Sequence, residues 1–184
     1  MQAPAKKQLR PATAILAVRA RPGRPTQGLL NWNGRVFPCA LGRSGIRAIK
    51  REGDGATPLG EMRMLSGYFR KGRLLTTKSK LPLKLIRQND GWCDDPLDRN
   101  YNRPVKLPYP KSAECMKRPD RLYDCCVVLD YNIRPRRRGM GSAIFFHIAR
   151  EGFLPTEGCV AVYPGVMKQL LPHLSRQTVI RVLR

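Results

Sequence analysis

Gly141-Ser142-Ala143-Ile144-Phe145-Phe146-His147-Ile148-Ala149-Arg150-Glu151-Gly152-Phe153-Leu154-Pro155-Thr156-Glu157-Gly158-Cys159-Val160-Ala161-Val162 is a stretch of two short apolar runs separated by a polar loop that contains Gly and Pro. Runs of this length predict two buried strands, from Ser142 to Ala149 and from Gly158 to Tyr163. His147 closes the first run and Cys159 opens the second. Nucleophilic catalysis by cysteine requires at least a thiol and a base close to it, and facing ends of neighbouring strands would provide such a pair.

The rest of the chain extends this pattern of short strands. Asn33-Gly34, between apolar runs at Gly28 to Trp32 and Arg35 to Leu41, predicts a hairpin with a type I′ turn. Further strands are predicted at Thr13 to Ala20, Glu61 to Leu65, Leu74-Leu75, Leu83 to Ile86, Arg121 to Tyr131 and Thr178 to Leu183. The stretches Asp90 to Pro96 and Tyr101 to Pro104 are expected to form a long loop, and Ser112 to Lys117 a loop or short helix.

One helix is expected to begin at Pro164-Gly165, because Val166, Met167, Leu170, Leu171 and Leu174 then share a face. About nine or ten short strands with one or two short helices predict a mainly β fold, a sandwich or a partly closed barrel. The length of 184 residues suits one domain, for which we expect residues 13–184. Residues 1–12 are rich in Pro and Lys and are expected to be a loose basic N-terminus.

The composition is strongly basic, with a formal net charge of +22. Residues 1–50 contain ten Lys and Arg and no acid, and a second basic block runs from Arg134 to Arg138. Such a charge attracts nucleic acid, an anionic lipid surface or a carboxylate-rich polymer. No zinc-finger spacing or RNA-recognition motif accompanies it, so a basic nucleic-acid-binding protein is kept as the alternative of another class.

The cysteines and histidines predict no metal site. None of the six cysteines forms a CxxC pair, and the chain has two histidines, which leaves no evident zinc quartet. No apolar run is long enough to span a membrane. The apolar run from Ala12 to Val18 is too short for an export signal, which favours a cytoplasmic protein over a precursor whose signal lies upstream.

The chemistry predicted for the opening stretch is acyl transfer through a thiolate. A free thiol has a pKa of about 8.5, so a histidine that takes its proton, helped by local positive charge, activates it. Gly158 leaves room for a substrate carbonyl, and the N–H groups of Gly158 and Cys159 are candidates to bind the oxyanion. The alternative is that Cys159 is a small buried residue like Cys125 and Cys126, and its pairing with His147 favours the catalytic interpretation.

Thr156-Glu157-Gly158-Cys159, with His147 upstream after Gly141-Ser142, resembles the signature of the L,D-transpeptidase catalytic domain family (YkuD type). Thr57-Pro58-Leu59-Gly60 is similar to a second motif of that family. A resemblance to its small, single-domain proteobacterial branch rests on Glu52-Gly53-Asp54-Gly55, Trp92-Cys93-Asp94-Asp95-Pro96, Tyr101-Asn102 and Tyr131-Asn132. The resemblance covers roughly residues 13–184.

The resemblance implies a mainly β sandwich with a catalytic cleft and an activity on peptidoglycan stem peptides. The cysteine would attack the carbonyl at the L-centre of the third residue, release the D-residue and form a thioester, which an acceptor amine resolves into a 3→3 cross-link. Water as acceptor would give an L,D-carboxypeptidase, and hydrolysis of a cross-link an endopeptidase. Carbapenem-type inhibitors are implied, as is the cell envelope or periplasm, with a cytoplasmic recycling enzyme as the alternative. We expect a monomer without cofactor, metal or specific nucleic acid.

Carried onto this chain, the resemblance implies Cys159 as nucleophile, His147 as general base, Gly158 as the oxyanion-side glycine and Thr156 as support for the histidine. Two features depart from the family pattern. Ala161 stands where the common form has Arg, and the loop between His147 and Cys159 is shorter than usual. Residues considered for substrate binding are therefore Arg150, Ser142, Asn132 and the loop Arg136 to Arg138.

Overall fold

The computed structural model describes residues 14–73 and 78–184. The predicted loose tail 1–12, the first residue of the strand predicted from Thr13 and the strand predicted at Leu74-Leu75 lie outside these ranges. Within the described ranges the fold is mainly β, as predicted, with one α-helix and two short 3₁₀ turns.

The strands, in chain order, are β1 (Ile15–Arg21), β2 (Arg24–Trp32), β3 (Arg35–Ala40), β4 (Ile46–Arg47), β5 (Thr57–Pro58), β6 (Gly60–Phe69), β7 (Leu83–Leu85), β8 (Asp90–Cys93), β9 (Arg103–Lys106), β10 (Ala113–Cys115), β11 (Cys125–Leu129), β12 (Phe145–Ile148), β13 (Val160–Val162) and β14 (Val179–Leu183). The helix is α1 (Pro164–Leu170), and the 3₁₀ turns are Glu151–Phe153 and Leu171–His173.

Eight of these strands close into a barrel. They pair in the order β11-β12-β13-β3-β2-β1-β14-β6, and β6 pairs with β11 to complete the ring. Most neighbours are antiparallel, but β12 with β13 and β1 with β14 run parallel. A complete ring leaves no free edge on its eight strands, so the fold is a closed barrel rather than a partly closed one.

Alternate residues of the barrel strands face the interior. Val127 of β11 and Phe146 of β12 join a core of buried aliphatic side chains with Leu16, Leu30 and Val160. Burying one large apolar side chain of this kind contributes about 1.5–3 kcal/mol, so this interior provides most of the driving force for closing the ring. The helix α1 contributes Met167 and Leu170 to the same core, which is the face that its sequence predicts.

A second layer covers the outer face of β11 and β12. Strands β10, β8 and β9 form a three-stranded sheet, and Trp92 of β8 packs edge-on against Phe145 with ring centroids 5.1 Å apart. As a result β11 and β12 are buried on both faces. The predictions of a long loop over 90–104 and of a possible helix over 112–117 are wrong, because these segments pair into short strands that tertiary packing stabilises despite weak local signals.

The hairpin prediction is confirmed. Asn33 and Gly34 connect β2 and β3 with φ angles of 50° and 82°, the positive values that a type I′ turn requires. The Asn31 carboxamide oxygen accepts a hydrogen bond from the Gly34 N–H at 3.2 Å, which closes the turn.

Candidate functional site

Cys159 and His147 lie on one face of two adjacent parallel strands. Phe146 pairs with Val160 and His147 with Ala161, so Cys159, one residue before Val160, lies beside Phe145. Because alternate residues share a face, Phe145, His147 and Cys159 all project to the same side. The expectation that the two residues occupy facing strand ends is therefore corrected: they are diagonal neighbours across a parallel pair.

The Cys159 thiol is enclosed by the backbone of the segment before β12. Its sulfur accepts a hydrogen bond from the Phe145 N–H and donates one to the Ala143 carbonyl, both at 3.3 Å. Ala143 has a positive φ of 51°, and its N–H donates a hydrogen bond to the Asn102 carboxamide oxygen at 3.1 Å. Asn102 is itself buried and also accepts from the Trp92 indole N–H at 2.9 Å, so the second layer fixes the carbonyl that orients the thiol.

Burial controls the proton affinity of both groups. Burial raises the pKa of Cys159 to about 12, against the opposing effect of the Phe145 N–H. Burial also lowers the pKa of His147 to about 4, against the opposing effect of the Ile148 carbonyl. The thiol and the imidazole are thus both neutral at neutral pH. The charge of Lys50 is among the effects that lower the pKa of Cys159, as expected for local positive charge, but loss of hydration outweighs it.

The neutral imidazole has a defined tautomer. His147 Nδ1 lies 2.8 Å from the Ile148 carbonyl, and since a carbonyl only accepts, Nδ1 carries the proton. Nε2 is then unprotonated and is the atom able to take a proton. Within the described ranges no hydrogen bond joins the imidazole to the thiol, whose hydrogen bonds go to Phe145 and Ala143.

A tight turn precedes the cysteine and is closed by Thr156. The Thr156 hydroxyl donates to the Cys159 carbonyl at 2.7 Å and accepts from the Gly158 N–H at 3.2 Å. The implied support of His147 by Thr156 is corrected, since these bonds and those of its backbone to Leu41 and Arg43 order the turn instead. The Gly158 N–H, a candidate for the oxyanion, donates to the Thr156 hydroxyl, so the hydroxyl and the oxyanion would share it.

Gly158 cannot be replaced by a residue with a side chain without strain. Its φ is +126°, and a Cβ at this position would lie 2.6 Å from the Ala56 carbonyl oxygen. The motif Thr57-Pro58-Leu59-Gly60 follows Ala56 directly, and the Thr57 hydroxyl accepts from the Gly42 N–H at 2.8 Å and donates to the Cys159 carbonyl at 3.5 Å. The two sequence motifs of the resemblance therefore meet in space behind Cys159.

A pocket of about 450 Å³ opens over the cysteine and the histidine. Of the residues considered for substrate binding, Arg150 and Ser142 line it. Asn132 is not among its lining residues, and its carboxamide instead bonds to the Arg137 and Gly141 backbone, which orders the loop that begins there. The prediction that Asn132 binds substrate therefore has no support from its position.

A chain of polar contacts that the sequence did not reveal borders the same pocket. Tyr123 packs edge-on against His147, with ring centroids 5.5 Å apart, and donates to Glu114 at 2.7 Å. Glu114 and Asp120 both form ion pairs with Arg118, at 3.2 and 2.9 Å. Burial raises the pKa of Glu114 above its usual value. Glu114 belongs to β10, in a segment predicted as loop or short helix, whereas Tyr123 lies in the segment predicted as a strand, just before β11 begins.

Arg150 differs from Arg118 in its partners. Its side chain is exposed at the pocket, and none of the ion pairs between described residues includes it. Ala161, where the family pattern has Arg, is fully buried on β13 opposite Ala40, in a cluster with Ala40 and Ala149.

Lys50 is a further residue beside the cysteine that the sequence did not predict as part of the site. It is 2 % exposed and its ammonium lies behind Gly158, where a Cβ would be 3.3 Å from Nζ. A lysine in a basic, Gly-rich segment carries no sequence signal of burial.

In residues 14–73 and 78–184 no helix has the length and apolar character needed to cross a membrane. Over the same ranges His, Cys, Asp and Glu form no group of three or more that could hold a metal ion.

The solved structures to which this chain is similar have low identity to it. The helical cell shape determining protein Pgp2 from Campylobacter jejuni is 14% identical, with a TM-score of 0.43 over 92% of this chain and 47% of that one. The L,D-transpeptidase LdtMt1 in complex with imipenem is 12% identical, with a TM-score of 0.43 over 93% and 59%. L,D-transpeptidase 1 from Mycobacterium tuberculosis is 12% identical, with a TM-score of 0.40 over 93% and 63%. The chain thus spans about half to two thirds of their lengths.

A comparison with curated proteins finds no match. The model of the L,D-transpeptidase catalytic domain (YkuD) matches residues 24–182, which include the barrel from β2 onward, both motifs and the pocket. Because this match covers most of the chain, the protein belongs to the L,D-transpeptidase catalytic domain (YkuD) family.

Proposed function

We propose that this protein is a cysteine L,D-transpeptidase that forms 3→3 cross-links between peptidoglycan stem peptides. The observation that carries the proposal is the placement of Cys159 and His147 on one face of two parallel strands, at a pocket, in a chain of this family. Cys159 is the nucleophile and His147 the general base.

In the first half-reaction, His147 Nε2 takes the Cys159 proton as the sulfur attacks the carbonyl of the third stem residue. The C–S bond forms, and the oxyanion is stabilised by the Cys159 N–H, with the Gly158 N–H shared between it and Thr156. The C–N bond to the D-residue then breaks, and that amine leaves with the proton from His147. A thioester remains on Cys159.

In the second half-reaction, the amine of a second stem attacks the thioester and gives its proton to His147. The C–S bond breaks, and the Cys159 sulfur regains a proton. Because both groups are neutral before substrate enters, proton transfer accompanies attack rather than preceding it. The buried, water-poor thiol limits wasteful hydrolysis of the thioester.

Arg150 is the residue that we propose for the substrate carboxylate. Arg118 is already paired with Glu114 and Asp120, whereas Arg150 is exposed at the pocket. We expect Arg150→Ala to raise KM with a smaller effect on kcat, because it removes a binding contact. Arg21→Ala, an exposed arginine outside the pocket lining, is the matched control and should leave both constants unchanged.

Incubation with purified disaccharide-tetrapeptide, followed by mass spectrometry, tests the proposal. A tetrapeptide–tripeptide dimer is the expected product, and it should be lost in Cys159→Ala but retained in Cys115→Ala, which removes an exposed cysteine. Tripeptide monomer alone would instead identify an L,D-carboxypeptidase. Untouched muropeptides together with tight binding of DNA or RNA would favour the nucleic-acid alternative.

The compartment and the inhibitor class are proposals of the same kind. We propose action in the cell envelope, where the substrate is, and cell fractionation that finds only a cytoplasmic pool would favour the recycling alternative. A carbapenem should form a covalent adduct of protein mass plus drug that Cys159→Ala abolishes.

A further inference from the structure

Lys50 is an unusual residue in this chain because its charge is buried. Most Lys and Arg side chains of the described ranges reach solvent, whereas Lys50 is 2 % exposed. A buried ammonium is costly unless it is paired, and lysine is among the residues most rarely buried. Its position therefore calls for a physical reason.

Part of the reason is an ion pair. Lys50 Nζ lies 2.6 Å from Asp54 Oδ1, and it also donates to the Arg51 carbonyl at 3.3 Å. Asp54 is held in place independently, because it accepts from the Arg51 N–H at 2.7 Å and from the Ala56 N–H at 2.8 Å. An ammonium has three donors, and in the described part of the chain these two acceptors are the ones it meets.

Stability alone does not account for the pair. A buried ion pair is often no more stabilising than apolar residues of the same volume, because desolvation offsets the attraction. The segment Lys50 to Ala56 could be closed by the Asp54 backbone bonds without a charge at position 50. The ammonium is therefore better explained by what lies on its other side.

The other side of the ammonium faces the turn that carries Cys159. A Cβ on Gly158 would lie 3.3 Å from Lys50 Nζ, so the charge sits directly behind the residue that precedes the cysteine. The aliphatic stem of Lys50 packs on Gly141, where a Cβ would lie 2.8 Å from Cε. Lys50 thus contacts both segments around the thiol, the turn 156–159 and the segment 141–143.

We propose that Lys50 is a positioning residue for Cys159, whose fixed ammonium stabilises the negative charge that the sulfur acquires when its proton moves to His147. The inference rests on the proposed role of Cys159 as nucleophile. Burial dominates the pKa of Cys159 and raises it, and the charge of Lys50 is among the effects that lower it. The ion pair with Asp54 holds the Lys50 ammonium in one place.

The test is the pH dependence of Cys159 alkylation by iodoacetamide, followed residue by residue with peptide mass spectrometry. Lys50→Met should slow alkylation of Cys159 about tenfold at each pH below the thiol pKa and displace the profile by about one pH unit upward. Lys50→Arg, which keeps the charge, should restore most of the rate. Lys106→Met, which removes an exposed lysine paired with Asp90, is the matched control and should follow the wild type.

A loss of folding is separated from the electrostatic effect by a double variant. Lys50→Met with Asp54→Asn leaves no unpaired carboxylate, and it should melt cooperatively by circular dichroism and show the same displaced profile. If the alkylation profile of Cys159 is the same as in the wild type in Lys50→Met and in the double variant, the inference is overturned. Because alkylation needs no muropeptide, a Lys50 effect without cross-linking activity would reject the proposed function and leave this inference standing.

Discussion

Protonation of His147 should make the fold less stable as the pH falls from about 6.5 to about 4. In the unfolded chain a histidine titrates near pH 6.5, whereas burial lowers the pKa of His147 in the folded protein to about 4. Between these values the unfolded state binds a proton that the folded state does not, so stability falls with falling pH. The proton affinity differs more than a hundredfold, which corresponds to about 3 kcal/mol of unfolding free energy once the pH is below both values.

Urea unfolding at a series of pH values between 7 and 4 measures this loss. For a chain of this size about 3 kcal/mol corresponds to a fall in Tm of about 6–12 °C, so a melting curve gives a second readout. His147→Asn, which can keep a donor near the Ile148 carbonyl, should flatten the pH dependence over this window. The comparison uses the slope of the unfolding free energy with pH and not its value at one pH. A constant loss of stability caused by the substitution itself therefore cancels.

The second histidine of the chain provides the control. His173 packs against Trp32 in a tilted arrangement with ring centroids 5.0 Å apart, and its side chain is exposed. His173→Asn should keep the wild-type slope. Equal slopes in the wild type and in His147→Asn would refute the reasoning, because the buried neutral imidazole would then contribute nothing to the acid sensitivity of the fold.

Three further substitutions test the support of the thiol. Thr156→Val removes the hydroxyl that closes the turn before Cys159 and should cost about 1–3 kcal/mol in urea unfolding, while Thr156→Ser should cost far less. Gly158→Ala forces a Cβ to within 2.6 Å of the Ala56 carbonyl at a strongly positive φ, and it should cost about 3 kcal/mol and change the alkylation rate of Cys159. Asn102→Ala removes hydrogen bonds that fix the segment around the thiol and should cost about 3 kcal/mol in urea unfolding. A loss below about 0.5 kcal/mol in any of the three would contradict the contacts assigned to that side chain.

The sequence carried enough local signal to predict many of the elements. The Asn33-Gly34 turn, the apolar run of β11 and the amphipathic face of α1 each depend on neighbours in the chain, and each is present. The elements that were missed lack such signals. β8 contains Asp90 and Gly91, β9 contains Pro104 and β10 is only three residues long, and these strands form because Trp92 and its neighbours cover the outer face of β11 and β12.

Closure of the barrel depends on pairing between strands that are far apart in the chain. β6 pairs with β11, and Cys126 lies opposite Tyr68 across that junction. A periodic pattern indicates which face of a strand is buried but does not indicate its partner. The sequence therefore left a sandwich and a barrel open, and only the register of the strands distinguishes them.

The sequence singled out Cys159 and His147 but not the surroundings that control their chemistry. Cys159 and His147 stand out because a thiol and a base flank one loop, and the structure brings them to the same face and pocket. Their pKa values depend on burial by residues that are distant in sequence, which no spacing reveals. Lys50 and Asn102 were missed as contributors to the site for the same reason, because each acts across a contact made by the fold.

The most direct test of the central claim is detection of the acyl-enzyme. The protein is mixed with disaccharide-tetrapeptide, quenched with acid within seconds, and analysed by intact mass and peptide mapping. We predict a mass increase equal to the disaccharide-tripeptide acyl group on Cys159, with release of the D-residue, no adduct in Cys159→Ala and slower formation in His147→Asn. An adduct on another residue, or undiminished turnover in Cys159→Ala, would contradict the account.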